Sequence, residues 1–211
     1  MIKIKNVTKK IDSQIVLENI NLTILDGRIY GFVGHNGSGK TMLFRAICGL
    51  IGVDEGMIEA NGKLVNSNNL LDRVGLLLEN PSFIGDLSAI DNLKLITSIN
   101  KMVDEEDIEN VLKKVSLYDY KDKYFEKFSL GMKQRLAIAN VILENPQILI
   151  FDEPTNAIDE QGMVALKRII IENKKENKTI LLASHEEAFI DQVADVKIIM
   201  KDGKIIDEYE L

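Results

Sequence analysis

Short apolar segments with a two-residue period recur along the chain. Ile20, Leu22 and Ile24 alternate with polar residues, which is typical of a strand buried on one face. Other apolar runs are continuous, as in strands buried on both faces of a parallel sheet. The patterns predict further strands at residues 2–7, 29–33, 147–151 and 178–183.

Helical periodicity separates these strands. Leu43, Ile47 and Leu50 predict a helix over 41–50, and apolar positions three and four apart predict helices within 86–144 and over 160–173. Strands that alternate with helices at both ends of a chain indicate an α/β fold with a parallel sheet. The mostly helical middle then reads as an insertion into that sheet's connections.

Three dipeptides predict tight turns between strands. Asn and Asp followed by Gly adopt the left-handed conformations that two-residue hairpin turns require. We therefore expect hairpins at Asp26-Gly27, Asn61-Gly62 and Asp202-Gly203.

Composition excludes several classes of protein. The 211 residues carry a net charge of −7, which argues against a broad nucleic-acid-binding surface. A single cysteine, Cys48, excludes an intrachain disulfide and a CxxC metal site, and two histidines exclude a multi-histidine site. The first residues run directly into a strand pattern, and no apolar run reaches the length of a membrane span. These features favour a reducing cytosol.

One glycine-rich segment fits the phosphate-loop pattern G-x-x-x-x-G-K-[ST]. It consists of Gly34, His35, Asn36, Gly37, Ser38, Gly39, Lys40 and Thr41. Glycines let backbone N–H groups surround a phosphate, the lysine reaches the β- and γ-phosphates, and the threonine hydroxyl ligates Mg²⁺. A chance glycine-rich turn is the alternative, and the position between a predicted strand and a predicted helix favours phosphate binding.

Two carboxylates end the apolar strand at 147–151. Asp152 is suited to hold Mg²⁺ beside a phosphate loop, and Glu153 to polarise an attacking water. The alternative is a strand that ends in solvated charge before Pro154.

Two further positions are ambiguous when taken alone. Ser129 and Gly131 suit the start of a helix, where a serine is most often only a cap. His185 follows a buried strand, where it would contact a γ-phosphate or serve only a structural role.

In this order the segments resemble the nucleotide-binding subunits of ATP-binding cassette (ABC) transporters, over essentially all 211 residues. The matching elements are the phosphate loop 34–41, a switch loop near Glu79, a signature at 128–132, the acidic strand 148–153, the segment 156–159 and His185. The resemblance implies a RecA-like core with an antiparallel β lobe (1–84 and 146–211) and an inserted helical lobe (85–145), together one domain.

The resemblance also implies a site shared between two subunits. ATP would lie between the phosphate loop of one subunit and Ser129 and Gly131 of the other in a head-to-tail dimer, a homodimer or a pair of related subunits. The implied catalytic residues are Glu79, Glu153 and His185, and the implied Mg²⁺ ligands are Thr41, Glu79 and Asp152. The implied nucleotide-binding residues include the phosphate loop, Ile11, Met42, Ser129, Gly131 and Asp159.

The chain departs from the family pattern at four places. Glu79 replaces the usual switch-loop glutamine, and Leu130 and Met132 replace a glycine and a glutamine of the signature. The glutamate and the signature variant resemble the bacitracin- and lantibiotic-resistance exporter branch. Ile11 stands where an aromatic usually stacks on adenine, and Met42 stands in place of a second threonine, which removes one hydrogen bond to the α-phosphate.

The resemblance predicts the ATPase subunit of an exporter, peripheral on the cytoplasmic face of the membrane through a separate integral membrane permease. Antimicrobial peptides or lipid-linked molecules are the expected substrates. The coupling surface is expected near residues 80–92, where Pro81, Phe83, Ile84 and Leu87 either contact the permease or form the core of the helical lobe. The alternative function is an ATP-switched clamp on DNA or the ribosome, although no nucleic-acid partner is expected from the charge.

Overall fold

The computed structural model describes residues 1–78, 83–100 and 103–211. The strands in these ranges are β1 (Ile2–Ile11), β2 (Gln14–Ile24), β3 (Ile29–Val33), β4 (Glu55–Ala60), β5 (Lys63–Leu64), β6 (Val74–Leu77), β7 (Ile148–Asp152), β8 (Thr179–Ser184), β9 (Val196–Lys201) and β10 (Lys204–Glu210). The α-helices are α1 (Lys40–Ile47), α2 (Ala89–Thr97), α3 (Glu105–Lys114), α4 (Leu130–Ile142), α5 (Glu160–Lys175) and α6 (Glu187–Val193).

A six-stranded sheet forms the centre of the fold, in the order β10-β9-β3-β8-β7-β6. Every neighbouring pair in it is parallel except β9 with β10, so the predicted parallel sheet is confirmed. The carboxyl ends of β3, β7 and β8 therefore lie side by side at one edge. Ligands bind at this edge in open α/β sheets.

A second, antiparallel sheet has the order β2-β1-β4-β5. Ala60 pairs with Lys63, which confirms the hairpin at Asn61-Gly62, and β9 pairs with β10 across the turn at Asp202-Gly203 as predicted. The hairpin predicted at Asp26-Gly27 is wrong, because β2 and β3 belong to different sheets. β3 is apolar on both faces and is buried as an inner strand of the parallel sheet. β2 has polar, exposed positions along one face, so a hairpin with β2 would not bury both faces of β3.

Two apolar cores cover the two faces of the parallel sheet. Ile148 and Ile150 point to the core shared with α1 and the antiparallel sheet, whereas Leu149 and Phe151 point to the core shared with α2–α6. This alternation follows from the two-residue period of a strand. Each such side chain, fully buried, contributes about 1.5–3 kcal/mol, so the sheet edge that carries the site is fixed from both sides.

The helical segment of the chain packs on the second of these cores. Asp104 and Asp107 form a reciprocal capping box that starts α3. α1 ends at Ile47, earlier than the predicted Leu50, because Gly49 adopts φ 79° and closes the helix. The division of the chain into lobes at 84/85 and 145/146 stays a prediction. No helix in the described ranges is long and apolar enough to cross a membrane.

Candidate functional site

The glycine-rich loop lies between β3 and α1, where its sequence predicted it. Gly39 occupies the N-cap position of α1, and no side chain caps the helix, so its first N–H groups face the loop. Nζ of Lys40 folds back over the loop and donates to the carbonyl oxygens of Gly34, at 2.7 Å, and His35, at 3.3 Å. A helix N-terminus with a lysine folded over it is a site for an anion.

The loop holds a second polar group that suits a phosphate. The side chain of Ser38 is 1% exposed, and the described residues offer its hydroxyl no hydrogen-bond partner. A buried hydroxyl without a partner costs free energy, which an anion in the loop would offset. Both observations agree with phosphate binding at this loop.

A cavity of about 440 Å³ opens beside the loop. Its lining comprises Gln14, Val16, Asn36, Gly37, Ser38, Gly39, Lys40, Thr41, Met42 and Glu153. Gln14 and Val16 were missed by the sequence reasoning; their two-residue spacing on β2 places both on one face, which was the available signal. Ile11 is not among the described residues that line this cavity, although it pairs with Gln14 at the end of the hairpin.

Two oxygen-bearing side chains meet where β7 ends. Oγ1 of Thr41 donates to Oδ2 of Asp152 at 2.5 Å, and Asp152 is 4% exposed. A hydroxyl and a carboxylate are hard oxygen ligands of the kind that Mg²⁺ binds. The pair therefore fits the predicted ion, although the described residues contain no cluster of three or more His, Cys, Asp or Glu that would hold a metal alone.

Glu153 connects the end of β7 with β8 and with the start of α1. Its Oε1 lies 3.5 Å from Nζ of Lys40, and its Oε2 lies 2.7 Å from Nδ1 of His185 and accepts from the backbone N–H of His185 at 3.2 Å. Its own N–H donates to the carbonyl of Ala183 on β8 at 2.9 Å. Glu153 also has φ 49°, which is uncommon for a residue other than glycine. Backbone strain of this kind clusters at functional sites.

The signature residues form a separate group. Oγ of Ser129 caps α4 by accepting from the N–H of Met132 at 3.2 Å. Gly131 lies against Asp159, since a Cβ there would be 3.0 Å from Oδ2 of Asp159. The same oxygen lies 3.2 Å from Nη2 of Arg135, a buried side chain that also donates to the carbonyl of Ser116 at 2.8 Å. Arg135 was not among the predicted site residues, although its four-residue spacing from Gly131 places both on one helix face.

The structure thus brings together some of the predicted site residues. The phosphate loop, Met42, Asp152, Glu153 and His185 meet at one edge of the sheet, whereas Ser129, Gly131 and Asp159 do not line the cavity among the described residues. One chain therefore presents two separate groups of predicted site residues: those around the cavity, and Ser129, Gly131 and Asp159 away from it. Glu79 lies outside the described residues.

The residues of the predicted coupling surface also fall into two groups, one in the core of the helical segment and one at its surface. The ring of Phe83 packs on that of Phe125 with centroids 5.1 Å apart, so it belongs to the core of the helical segment. Ile84 is exposed and Leu87 half-buried, which leaves these two available for contact. Asn80 and Pro81 lie outside the described residues.

Comparison with known proteins agrees with this geometry. The sequence profile of the ABC transporter family matches residues 17–156. The chain is 39% identical over 211 residues to the bacitracin transport ATP-binding protein BcrA of Bacillus licheniformis. That alignment covers 99% of this chain and 69% of BcrA. It is 37% identical over 210 residues to the lantibiotic transport ATP-binding protein SrtF of Streptococcus pyogenes. That alignment covers 100% of this chain and 91% of SrtF.

A solved structure has the same fold. It is a dimeric ATP-binding cassette in a post-hydrolysis state, bound to ADP and Pi, with a TM-score of 0.87 and 27% identity over 100% of this chain and 99% of that one. The likeness inferred from the sequence, including the bacitracin and lantibiotic branch, is confirmed. These relatives are transport proteins and give no support to a clamp on DNA or the ribosome. The chain belongs to the ABC transporter family and has the fold of its ATP-binding cassettes.

Proposed function

We propose that the chain binds and hydrolyses Mg-ATP and thereby drives export through a separate membrane permease. The observation that carries this function is the position of Glu153, whose carboxylate lies between Lys40 of the phosphate loop and His185 after β8. A base, a phosphate-binding lysine and a histidine meet beside one cavity. This arrangement suits hydrolysis of a nucleoside triphosphate.

Binding depends on the loop and the start of α1. Backbone N–H groups, Lys40 and the hydroxyl of Ser38 would hold the phosphates. Nζ of Lys40, which donates to the carbonyl oxygens of Gly34 and His35, would donate to phosphate oxygens in their place. Thr41 and Asp152 would hold Mg²⁺, with Glu79 proposed as a further oxygen ligand from its sequence position. The bound ion would neutralise charge on the β- and γ-phosphates.

Hydrolysis depends on Glu153. Its carboxylate would accept a proton from water as the water oxygen attacks the γ-phosphorus, and the bond from that phosphorus to the β–γ bridging oxygen would break to give ADP and phosphate. His185 holds the carboxylate through its ring and its N–H. It would also contact the γ-phosphate.

A second subunit would complete the site. Ser129 and Gly131 lie outside the cavity of their own chain, so they would close over the ATP bound to a partner in a head-to-tail dimer. Asp159 lies against Gly131 in the same chain. A shift of Gly131 at the partner's ATP site would therefore move Asp159, and Asp159 would couple the two ATP sites of the dimer. The dimeric cassette bound to ADP and Pi supports this arrangement.

The relatives suggest the transported substrate. BcrA and SrtF are transport ATP-binding proteins for bacitracin and for a lantibiotic, so we propose export of a peptide antibiotic. The chain would then lie on the cytoplasmic face of the membrane, held by a permease that contacts the segment around Ile84 and Leu87.

The test combines the purified chain with a resistance assay. Phosphate release from Mg-ATP should fall by roughly 10²- to 10⁴-fold in Glu153→Gln. Co-expression with a membrane permease of this transporter family should confer peptide-antibiotic resistance that the same substitution removes. A chain that neither binds Mg-ATP nor releases phosphate would overturn the ATPase function. Hydrolysis without resistance to any peptide antibiotic would overturn only the substrate class.

A further inference from the structure

The turn between β9 and β10 is hydrogen-bonded to the phosphate loop. The N–H of Gly203 donates to the carbonyl of Ser38 at 3.0 Å, and the carbonyl of Gly203 accepts from the N–H of Glu18 on β2 at 2.8 Å. One residue of the turn therefore joins the loop to the strand that forms the opposite wall of the cavity.

No side chain fits at this junction. A Cβ on Gly203 would lie 2.8 Å from the carbonyl oxygen of Val16, and Val16 lines the cavity. The Cα of Gly203 is itself 3.3 Å from the place where a Cβ on Gly39 would stand. Gly203 has φ 76°, a conformation that glycine adopts without cost. Any larger residue must displace the backbone of β2 at Val16 or move the turn itself, and the turn is hydrogen-bonded to the loop at Ser38.

A further contact ties the loop to the same hairpin. A Cβ on Gly34 would lie 2.3 Å from the carbonyl oxygen of Met200, so the loop begins in direct contact with β9. The side-chain pairs around the turn, His35 with Asp202 at 3.5 Å and Lys204 with Glu18 at 3.0 Å, are exposed and contribute little. The backbone contacts therefore fix the geometry.

We propose that Gly203 is a positioning residue for ATP binding, which rests on the proposed function of the loop. Through Ser38 and Val16 the turn would set the distance between the two walls of the cavity, and with it the affinity for the nucleotide. The turn lies beyond residues 17–156, the part of the chain that the family profile matches. Displacement of a binding group by about 1 Å is enough to cost up to 10²-fold in function.

The chain supplies a matched control. Gly62 occupies the equivalent position of the other hairpin turn, with φ 79° against 76° for Gly203, and a Cβ there meets no atom within 4 Å. Gly203→Ala and Gly62→Ala therefore impose the same backbone strain, and only the first adds a collision with Val16. Gly203→Asn and Gly62→Asn form a second pair, because asparagine tolerates this conformation better than alanine.

The experiment measures Mg-ATP affinity by calorimetry, steady-state KM and kcat, and amide hydrogen exchange. Gly203→Ala should weaken affinity by about tenfold or more, raise KM more than it lowers kcat, and speed exchange within residues 34–41. Gly62→Ala should lower the melting temperature without these changes. Equal affinities for the two variants would overturn the proposal and leave the ATPase function intact.

A measurement on the unsubstituted chain covers the case in which the Gly203 variants do not fold. Mg-ATP should slow exchange of the Gly203 amide, which is bonded to the loop, and leave that of the Gly62 amide unchanged. If the chain binds Mg-ATP and the Gly203 amide does not respond, the positioning role is wrong. If the chain binds no Mg-ATP at all, the proposed function fails together with this inference.

Discussion

Nδ1 of His185 lies 2.7 Å from Oε2 of Glu153, so the loop after β8 and the end of β7 are joined by one carboxylate. The other oxygen of that carboxylate lies 3.5 Å from Nζ of Lys40. The backbone of Glu153, at φ 49°, costs on the order of 1–3 kcal/mol relative to a relaxed residue. The burial of both neighbouring strands holds this strained conformation.

Lys40→Ala should weaken Mg-ATP binding by about an order of magnitude or more, since the only cation in the phosphate loop is removed. Calorimetric titration measures the change. Lys63→Ala, which removes an exposed lysine on β5, should leave the affinity unchanged. Equal affinity in the Lys40 variant and the unsubstituted chain would show that the loop does not bind phosphate.

Ile11→Tyr should tighten ATP binding by about 0.5–1.5 kcal/mol, because an aromatic ring stacks on a base where an aliphatic chain only packs. The unsubstituted chain should discriminate weakly between ATP and GTP. Ile15→Tyr is the control, since Ile15 is exposed on the same hairpin. If neither tyrosine tightens binding, the base lies elsewhere, with Val16 the next residue to test.

Arg135→Ala should lower the free energy of unfolding by about 1–3 kcal/mol, since it removes a buried side chain and leaves the carbonyl of Ser116 without its donor. Asp159 loses the cation beside its Oδ2 and keeps the N–H of Gly162 on its Oδ1. Arg168→Ala removes an exposed arginine that donates to the carbonyl of Lys114 and should cost much less. Urea unfolding of both variants measures the difference. Equal losses would contradict a special role for the buried arginine.

Cys48 should react slowly with thiolate-dependent reagents in the folded chain. Burial raises the pKa of its thiol to about 12, so the thiol stays protonated at pH 8. Above about pH 9 the unfolded chain releases this proton and the folded chain does not, so stability should fall with rising pH relative to Cys48→Ala. Fast labelling at pH 8 with an intact native spectrum would contradict this burial.

Sequence patterns predicted the parallel sheet because its strands are continuously apolar and its phosphate loop has a fixed spacing of glycines and lysine. They predicted the Asp26-Gly27 connection wrongly, since a turn dipeptide specifies a local bend and not the sheet that the next strand joins. Contacts such as Gly203 with Ser38 bring together residues far apart in the chain, and no local pattern encodes such a distance. The spacing of Gln14 and Val16 places both on one face of β2, and only the folded chain shows that this face lines the cavity.

Mg-ATP hydrolysis and dimerisation of the Glu153→Gln variant test the role of Glu153 in hydrolysis most directly. The amide keeps the shape of the side chain and removes the base, so phosphate release should fall by roughly 10²- to 10⁴-fold. ATP should then remain bound, and light scattering should show a stable dimer in Mg-ATP, with Glu160→Gln on the exposed start of α5 as the control that behaves like the original chain. A Glu153→Gln variant that hydrolyses ATP normally and stays monomeric in Mg-ATP would show that Glu153 is not the base and that ATP does not close a dimer of this chain.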